Sequence, residues 1–135
     1  MKREEAIEKL KHILKYRSEV EVCLLFGSAA EKNDIPERSD YDIAVCGNQE
    51  FETNYLADLQ LDLSEVLKRD VDLLDLSRLD GLILMKVLTS GQKIVNKKPE
   101  LLARHIKRML FYREDMYPNY RMMQEAKIKR FAYGS

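Results

Sequence analysis

Short apolar runs alternate with longer amphipathic segments along this chain, and this alternation limits its fold more than any other feature. The runs are rich in β-branched and aliphatic residues, which is typical of strands that lie inside a sheet. The predicted strands cover residues 20–26, 41–46 and 71–76, with a short edge strand at 92–95.

The segments around these runs repeat apolar residues every three or four positions, as amphipathic helices do. The predicted helices cover residues 2–16, about 50–68, 79–89 and 99 to 118. Pro99 suits the first turn of a helix, and Pro118 should end or break the last one. Gly91 should end the third helix in the left-handed conformation.

The order of these elements predicts an α/β (α+β) fold, in which helices flank one mixed sheet. The order of the strands within that sheet cannot be read from the sequence. At 135 residues the chain is long enough for one domain with its own core. We divide it into a core over residues 1–96 and a C-terminal helical extension over residues 97–135.

Charge and cysteine content exclude several classes of protein. The 23 basic residues equal the 23 acidic ones, so direct nucleic-acid binding through a general basic field is not expected. Cys23 and Cys46 lack the spacing of a zinc site, and we interpret them as buried, reduced thiols. No apolar stretch is long enough to span a membrane and no signal peptide is evident, so we expect a cytoplasmic protein without a membrane partner.

Three aspartates form the candidate catalytic centre. Because side chains alternate along a strand, Asp40 and Asp42 should project from the same face. Asp72 lies among apolar residues of the third predicted strand, where a carboxylate is unfavourable unless a cation or hydrogen bonds compensate it. Mg²⁺ prefers carboxylate oxygens, so we expect Asp40, Asp42 and Asp72 to be catalytic ligands of two magnesium ions.

A glycine–serine turn follows the first predicted strand. Gly27 lets the backbone approach a phosphate closely, and the Ser28 hydroxyl can hold phosphate oxygens, so both should bind ATP. No Gly-Lys-Ser/Thr follows, which excludes a Walker loop. Asp70 is two positions from Asp72, so its side chain should project to the same face, and it is the alternative third ligand. Asp75 is three positions from Asp72 and should point to the other face of the sheet.

Three segments of the sequence resemble the minimal nucleotidyltransferase (MNT) family of the DNA polymerase β-like nucleotidyltransferase superfamily. They are Gly27-Ser28-Ala29-Ala30, residues 39–45 and residues 70–76, within a resemblance that covers roughly residues 20–95. The resemblance implies a palm-like sheet. It also implies that Asp40, Asp42 and Asp72 are the acidic triad that binds metal, and that Gly27 and Ser28 anchor the triphosphate.

Standalone MNT proteins are similar to the antitoxins of HEPN/MNT toxin–antitoxin pairs. The resemblance therefore implies a protein adenylyltransferase that transfers AMP from ATP to a tyrosine of a HEPN ribonuclease toxin, its partner. Two alternatives remain open: an antitoxin that neutralises its partner by binding alone, and a transferase that modifies a small-molecule hydroxyl. A hetero-oligomer and a homodimer are both compatible with the sequence.

The C-terminal extension is rich in tyrosine, methionine and phenylalanine. These residue types are favoured in the centres of protein interfaces, so the segment beyond Pro118 is expected to contact a partner. We expect Phe111 and Tyr112, which precede it, to pack instead on the sheet of their own chain.

Overall fold

One four-stranded sheet organises the fold, in a computed structural model that describes residues 2–27, 30, 40–116, 129, 130 and 132. The strands are β1 (Val22–Phe26), β2 (Tyr41–Cys46), β3 (Val71–Asp75) and β4 (Gln92–Asn96). The longer helices are α1 (Arg3–Lys15), α2 (Thr53–Leu67), α3 (Gly81–Ser90) and α4 (Pro99–Met116). A short 3₁₀ helix, Leu76–Arg78, follows β3. The predicted elements and their order are confirmed, and differences are confined to their ends.

The sheet is mixed, as predicted, with the strand order β3-β2-β1-β4. Strand β1 is antiparallel to both of its neighbours, β2 and β4. Strands β2 and β3 are parallel, and α2 connects them as a crossover helix. This crossover places the start of β3 beside the start of β2.

Helices cover both faces of the sheet. In β2, Tyr41, Ile43 and Val45 face a buried cluster that includes residues of α1 and α2. Ala44 and Cys46 face a second cluster that includes residues of α3 and α4. Because side chains alternate along a strand, Asp42 shares the second face with Ala44.

Helix α3 ends differently from the prediction. Gly91 has φ −73°, so it is not left-handed, and that expectation was wrong. The glycine is required for packing instead, because a β-carbon there would lie 2.4 Å from the carbonyl oxygen of Val87. The left-handed C-cap belongs to α2, where Lys68 has φ 58°.

Arg108 fastens helix α4 to the segment that precedes α3. Its Nη1 donates to the carbonyl oxygen of Leu79 at 2.7 Å, and its Nη2 donates to that of Leu76 at 3.1 Å. The Nδ1 of buried His105 lies 3.1 Å from the same Nη2. Burial lowers the pKa of His105, and the charges of Arg108 and Arg104 lower it further.

Cys23 and Cys46 are buried free thiols, as predicted. Burial raises the pKa of Cys46 to about 12, which keeps it protonated at neutral pH. Over the residues that the structure describes, none of the helices has the length and apolar content that a membrane span needs. Pro118 and the segment after it, apart from residues 129, 130 and 132, lie outside the described residues.

Candidate active site

Gly27 forms a tight turn at the end of β1, directly against Asp42. Its φ of 71° lies in the left-handed region, which glycine adopts more easily than residues with a side chain. A β-carbon at this position would lie 2.3 Å from Oδ2 of Asp42, closer than any real contact. The backbone N–H of Ala30 donates to the carbonyl oxygen of Gly27 at 3.2 Å and closes the turn. Ser28 lies outside the described residues.

Asp42 and Asp72 are direct partners across the parallel β2–β3 pair. Neighbouring strands lie about 4.8 Å apart, and residues in register on parallel strands project to the same face. Asp42 is half-buried, and Asp72 is exposed at the edge strand. The sheet therefore brings together two of the three aspartates that the sequence singled out.

Asp40 lies just before β2 and is exposed. Its negative charge acts on the carboxyl group of Asp42. Burial raises the pKa of Asp42 above its ordinary value, and the charges of Asp72 and, more weakly, Asp40 add to the rise. The charges of Asp72 and Asp40 thus both act on the Asp42 carboxyl.

The chemistry of this environment fits a divalent cation. Hard cations bind carboxylate oxygens, and a cation would relieve the repulsion that raises the pKa of Asp42. As the side chains stand, no group of three histidine, cysteine, aspartate or glutamate residues in the described part of the chain is arranged to hold a metal ion.

Asp75, the other aspartate of β3, has a structural role. Its side chain is buried and accepts hydrogen bonds from the backbone N–H of Phe51 at 2.9 Å and from that of Ser77 at 3.0 Å. It caps the 3₁₀ helix after β3. These bonds hold it away from Asp42, in agreement with its odd parity relative to Asp72. The side chain of Asp70 is exposed, and its carbonyl oxygen accepts from the N–H of Tyr41 at 3.0 Å.

Lys86 is a charged residue near this site that sequence reasoning missed. It lies on α3, is exposed, and its positive charge lowers the pKa of Asp42, against burial and the charge of Asp72. A lysine in an amphipathic helix carries no signal that distinguishes it from other solvated lysines. Only the packing of α3 over the sheet reveals its proximity to Asp42.

The outer face of α4 exposes large apolar side chains. The exposed fractions are 37% for Ile106, 45% for Leu110 and 60% for Phe111. Phe111 therefore does not pack on the sheet, contrary to expectation. Tyr112 is half-buried and lies against Gly81 at the start of α3, so it packs on a helix of its own chain.

One comparison of sequence relates the chain to a known family. The polymerase beta nucleotidyltransferase family matches residues 8–100. That span extends from α1 to the first turn of α4 and contains Gly27, Asp40, Asp42 and Asp72. The search of curated proteins gives no match.

Similar folds occur in solved toxin–antitoxin complexes. A chain of a toxin–antitoxin complex with AMP-PNP superposes with a TM-score of 0.69 at 21% identity, covering 90% of this chain and 98% of that one. A chain from a complex of a tri-AMPylated Shewanella oneidensis HEPN toxin with an MNT antitoxin gives 0.68 at 20% identity, covering 93% and 98%. A structure described as a minimal nucleotidyltransferase gives 0.56 at 26% identity, covering 68% and 95%. At the identities of the first two, the likeness establishes a shared fold.

Proposed function

The chain belongs to the polymerase beta nucleotidyltransferase family, and on this premise we propose that it transfers AMP from ATP to a protein hydroxyl, with Mg²⁺ as cofactor. The acceptor we propose is a tyrosine of a cognate HEPN ribonuclease toxin, for which the chain serves as antitoxin. The observation that carries the proposal is the register of Asp42 with Asp72, beside a glycine turn in which no side chain fits.

In this proposal, Asp40, Asp42 and Asp72 hold the magnesium. When bound, the metal neutralises phosphate charge and favours ionisation of the attacking hydroxyl. The repulsion of the Asp42 carboxylate by Asp72 and Asp40 supports this assignment, because a bound cation would offset that repulsion.

The remaining chemistry belongs to the turn and the acceptor. Gly27 lets the backbone come close to the triphosphate, and the Ser28 hydroxyl donates a hydrogen bond to its phosphate oxygens in this proposal. The acceptor oxygen attacks the α-phosphorus, and a new oxygen–phosphorus bond forms as the bond to the bridging oxygen breaks. Pyrophosphate leaves with that electron pair, and the hydroxyl proton passes to a carboxylate of the site.

Two observations support this partner: the complexes in which similar folds occur, and the exposed surface of α4. A tri-AMPylated HEPN toxin and an MNT antitoxin occur together in one of the similar structures. Ile106, Leu110 and Phe111 expose an apolar strip of the kind that protein partners cover. The strip lies within the C-terminal extension, whose aromatic and methionine content points the same way.

The test is transfer of label from ATP. The protein is incubated with Mg²⁺, ATP labelled at the α-phosphate and a HEPN protein encoded in an adjacent reading frame. We expect label on that protein, and loss of at least about a hundredfold in rate for Asp42→Asn. Asp58→Asn is the matched control, since Asp58 is exposed on α2, across the sheet from the site. Absence of label with the wild type, or equal labelling by Asp42→Asn, would overturn the proposal.

A second candidate is an antitoxin that acts by binding alone, which the exposed apolar strip of α4 favours. The two functions separate in a neutralisation assay with the double variant Asp40→Asn/Asp42→Asn. Neutralisation by this variant, combined with failure of a chain truncated after Asn119, supports binding alone. Loss of neutralisation in a folded double variant supports catalysis.

A further inference from the structure

A side chain of α1 holds the far end of the glycine turn. The Nη1 of Arg3, in the first turn of α1, donates to the carbonyl oxygen of Ala30 at 2.7 Å. The N–H of Ala30 in turn donates to the carbonyl oxygen of Gly27 at 3.2 Å. Arg3 and Ala30 are both half-buried. Two successive hydrogen bonds therefore join α1 to the candidate active site.

Local helix chemistry does not account for an arginine at this position. The positive end of the helix dipole lies at the N-terminus, so a cation in the first turn is unfavourable, whereas the neighbouring Glu4 and Glu5 are favourable there. Ala6 and Ile7, one turn further along α1, are buried, which places Arg3 on the side of the helix that faces the core. The tertiary contact with Ala30 explains what the helix does not.

Core packing fixes both partners of this contact. Helix α1 contributes to the buried cluster on one face of the sheet, and Ala30 packs against the same cluster. The turn begins at Gly27, whose left-handed backbone lies against Asp42. Asp42 therefore borders the start of the turn, and Arg3 holds its end.

We propose that Arg3 is a positioning residue for the phosphate-binding turn, which it keeps closed by holding the carbonyl group of Ala30. The inference rests on the proposed function, in which residues 27 and 28 receive the triphosphate. A turn that is ordered before ATP binds loses less conformational entropy on binding. A charge-assisted hydrogen bond is stronger than a neutral one, so a single arginine contact suits this task.

Direct electrostatic attraction between Arg3 and the triphosphate is the competing interpretation. An attraction across solvent is screened as the ionic strength rises, so the effect of removing Arg3 would shrink at high salt. A hydrogen bond that orders the turn acts through the backbone conformation, so the effect would be the same at low and high salt. A purely structural role would lower stability and leave the affinity for phosphate unchanged.

The experiment measures the dissociation constants of ATP and inorganic tripolyphosphate, each with Mg²⁺, by calorimetry on the full chain at low and high ionic strength. Arg3→Met keeps an apolar stem and removes the donor, and we expect it to weaken binding of both ligands about tenfold at both ionic strengths. Arg3→Lys should restore most of the affinity, since its ammonium group can donate to the same carbonyl oxygen.

Hydrogen exchange of the ligand-free protein gives a second readout, which does not depend on nucleotide. The amide of Ala30 is bonded to the carbonyl of Gly27 and should exchange at least about tenfold faster in Arg3→Met than in the wild type. Arg17→Met is the matched control, because Arg17 is also half-buried and pairs with Asp62 beyond the other end of α1. This control should leave phosphate binding and the exchange of Ala30 unchanged.

Equal affinity of the wild type and Arg3→Met for tripolyphosphate overturns the inference, and so does a loss of affinity that fades at high ionic strength. Unchanged exchange of the Ala30 amide overturns it as well, as does a wild type that binds neither ligand. Thermal unfolding verifies that the variant is folded, and Arg3→Gln replaces Arg3→Met where it is not. Tripolyphosphate binding that depends on Arg3, without transfer of AMP to a HEPN protein, would sink the proposed function alone.

Discussion

A β-carbon on Gly27 would lie 2.3 Å from Oδ2 of Asp42. The turn after β1 and the Asp42 carboxylate of β2 therefore occupy adjoining space, and a side chain at position 27 would displace that carboxylate.

Gly27→Ala should abolish most transfer activity and reduce stability. The left-handed backbone alone destabilises a residue with a side chain by about 1 kcal/mol, and the new methyl group would displace the Asp42 carboxylate. Gly81→Ala is the control, because Gly81 also has a positive φ (58°) but its added carbon would meet only Tyr112, at 3.7 Å. Urea unfolding should show similar destabilisation of Gly27→Ala and Gly81→Ala. Label transfer should be lost in Gly27→Ala alone.

Asp42→Asn should make the metal-free protein more stable at neutral pH. The pKa of Asp42 is raised in the folded state, so the folded protein binds a proton at this carboxyl more tightly than the unfolded chain does. The free energy of unfolding therefore falls as the pH rises from the ordinary aspartate pKa through the raised pKa of Asp42. Asparagine carries no charge at this position, so Asp42→Asn avoids this loss of stability. Unfolding midpoints with EDTA, compared with those of Asp58→Asn, check the prediction. A lower midpoint for Asp42→Asn alone would contradict it.

His105 should make stability fall in mildly acidic solution. Its pKa is lowered in the folded state by burial, Arg108 and Arg104, so the unfolded chain binds more protons below its ordinary pKa of 6.5. The stability it contributes is complete above that value and is lost as the pH falls towards the lowered pKa. His105→Gln should flatten the dependence of unfolding free energy on pH in this range. His12→Gln, at an exposed position of α1, should leave it unchanged.

Phe111→Asp should weaken partner binding by at least about tenfold without unfolding the chain. Phe111 is 60% exposed, so a charge there disturbs little of the core but opposes burial beneath a partner. Leu61→Asp is the matched control, since Leu61 is 68% exposed on α2, across the sheet from α4. Titration calorimetry with the HEPN protein measures both. Equal affinities for the two variants would show that the partner does not cover α4.

Much of the fold follows from local patterns. The apolar runs and helical repeats predicted the four strands and the four longer helices, because both patterns arise from short-range backbone geometry. They did not predict the 3₁₀ helix Leu76–Arg78. The exact end of α3 was less predictable. Gly91 caps that helix in an extended conformation and has no room for a β-carbon beside the Val87 carbonyl, whereas the left-handed position belongs to Lys68, for which the sequence holds no comparable signal.

Sequence alone determined that Asp40 and Asp42 lie two positions apart at the start of one strand and that a glycine follows the first buried run. Tertiary structure decided that Asp72 stands opposite Asp42 and that Gly27 lies against Asp42. The reason is that alternation along a strand is set by neighbouring peptide units. Strand pairing and helix packing depend instead on contacts between distant segments, and these form only when the whole core closes.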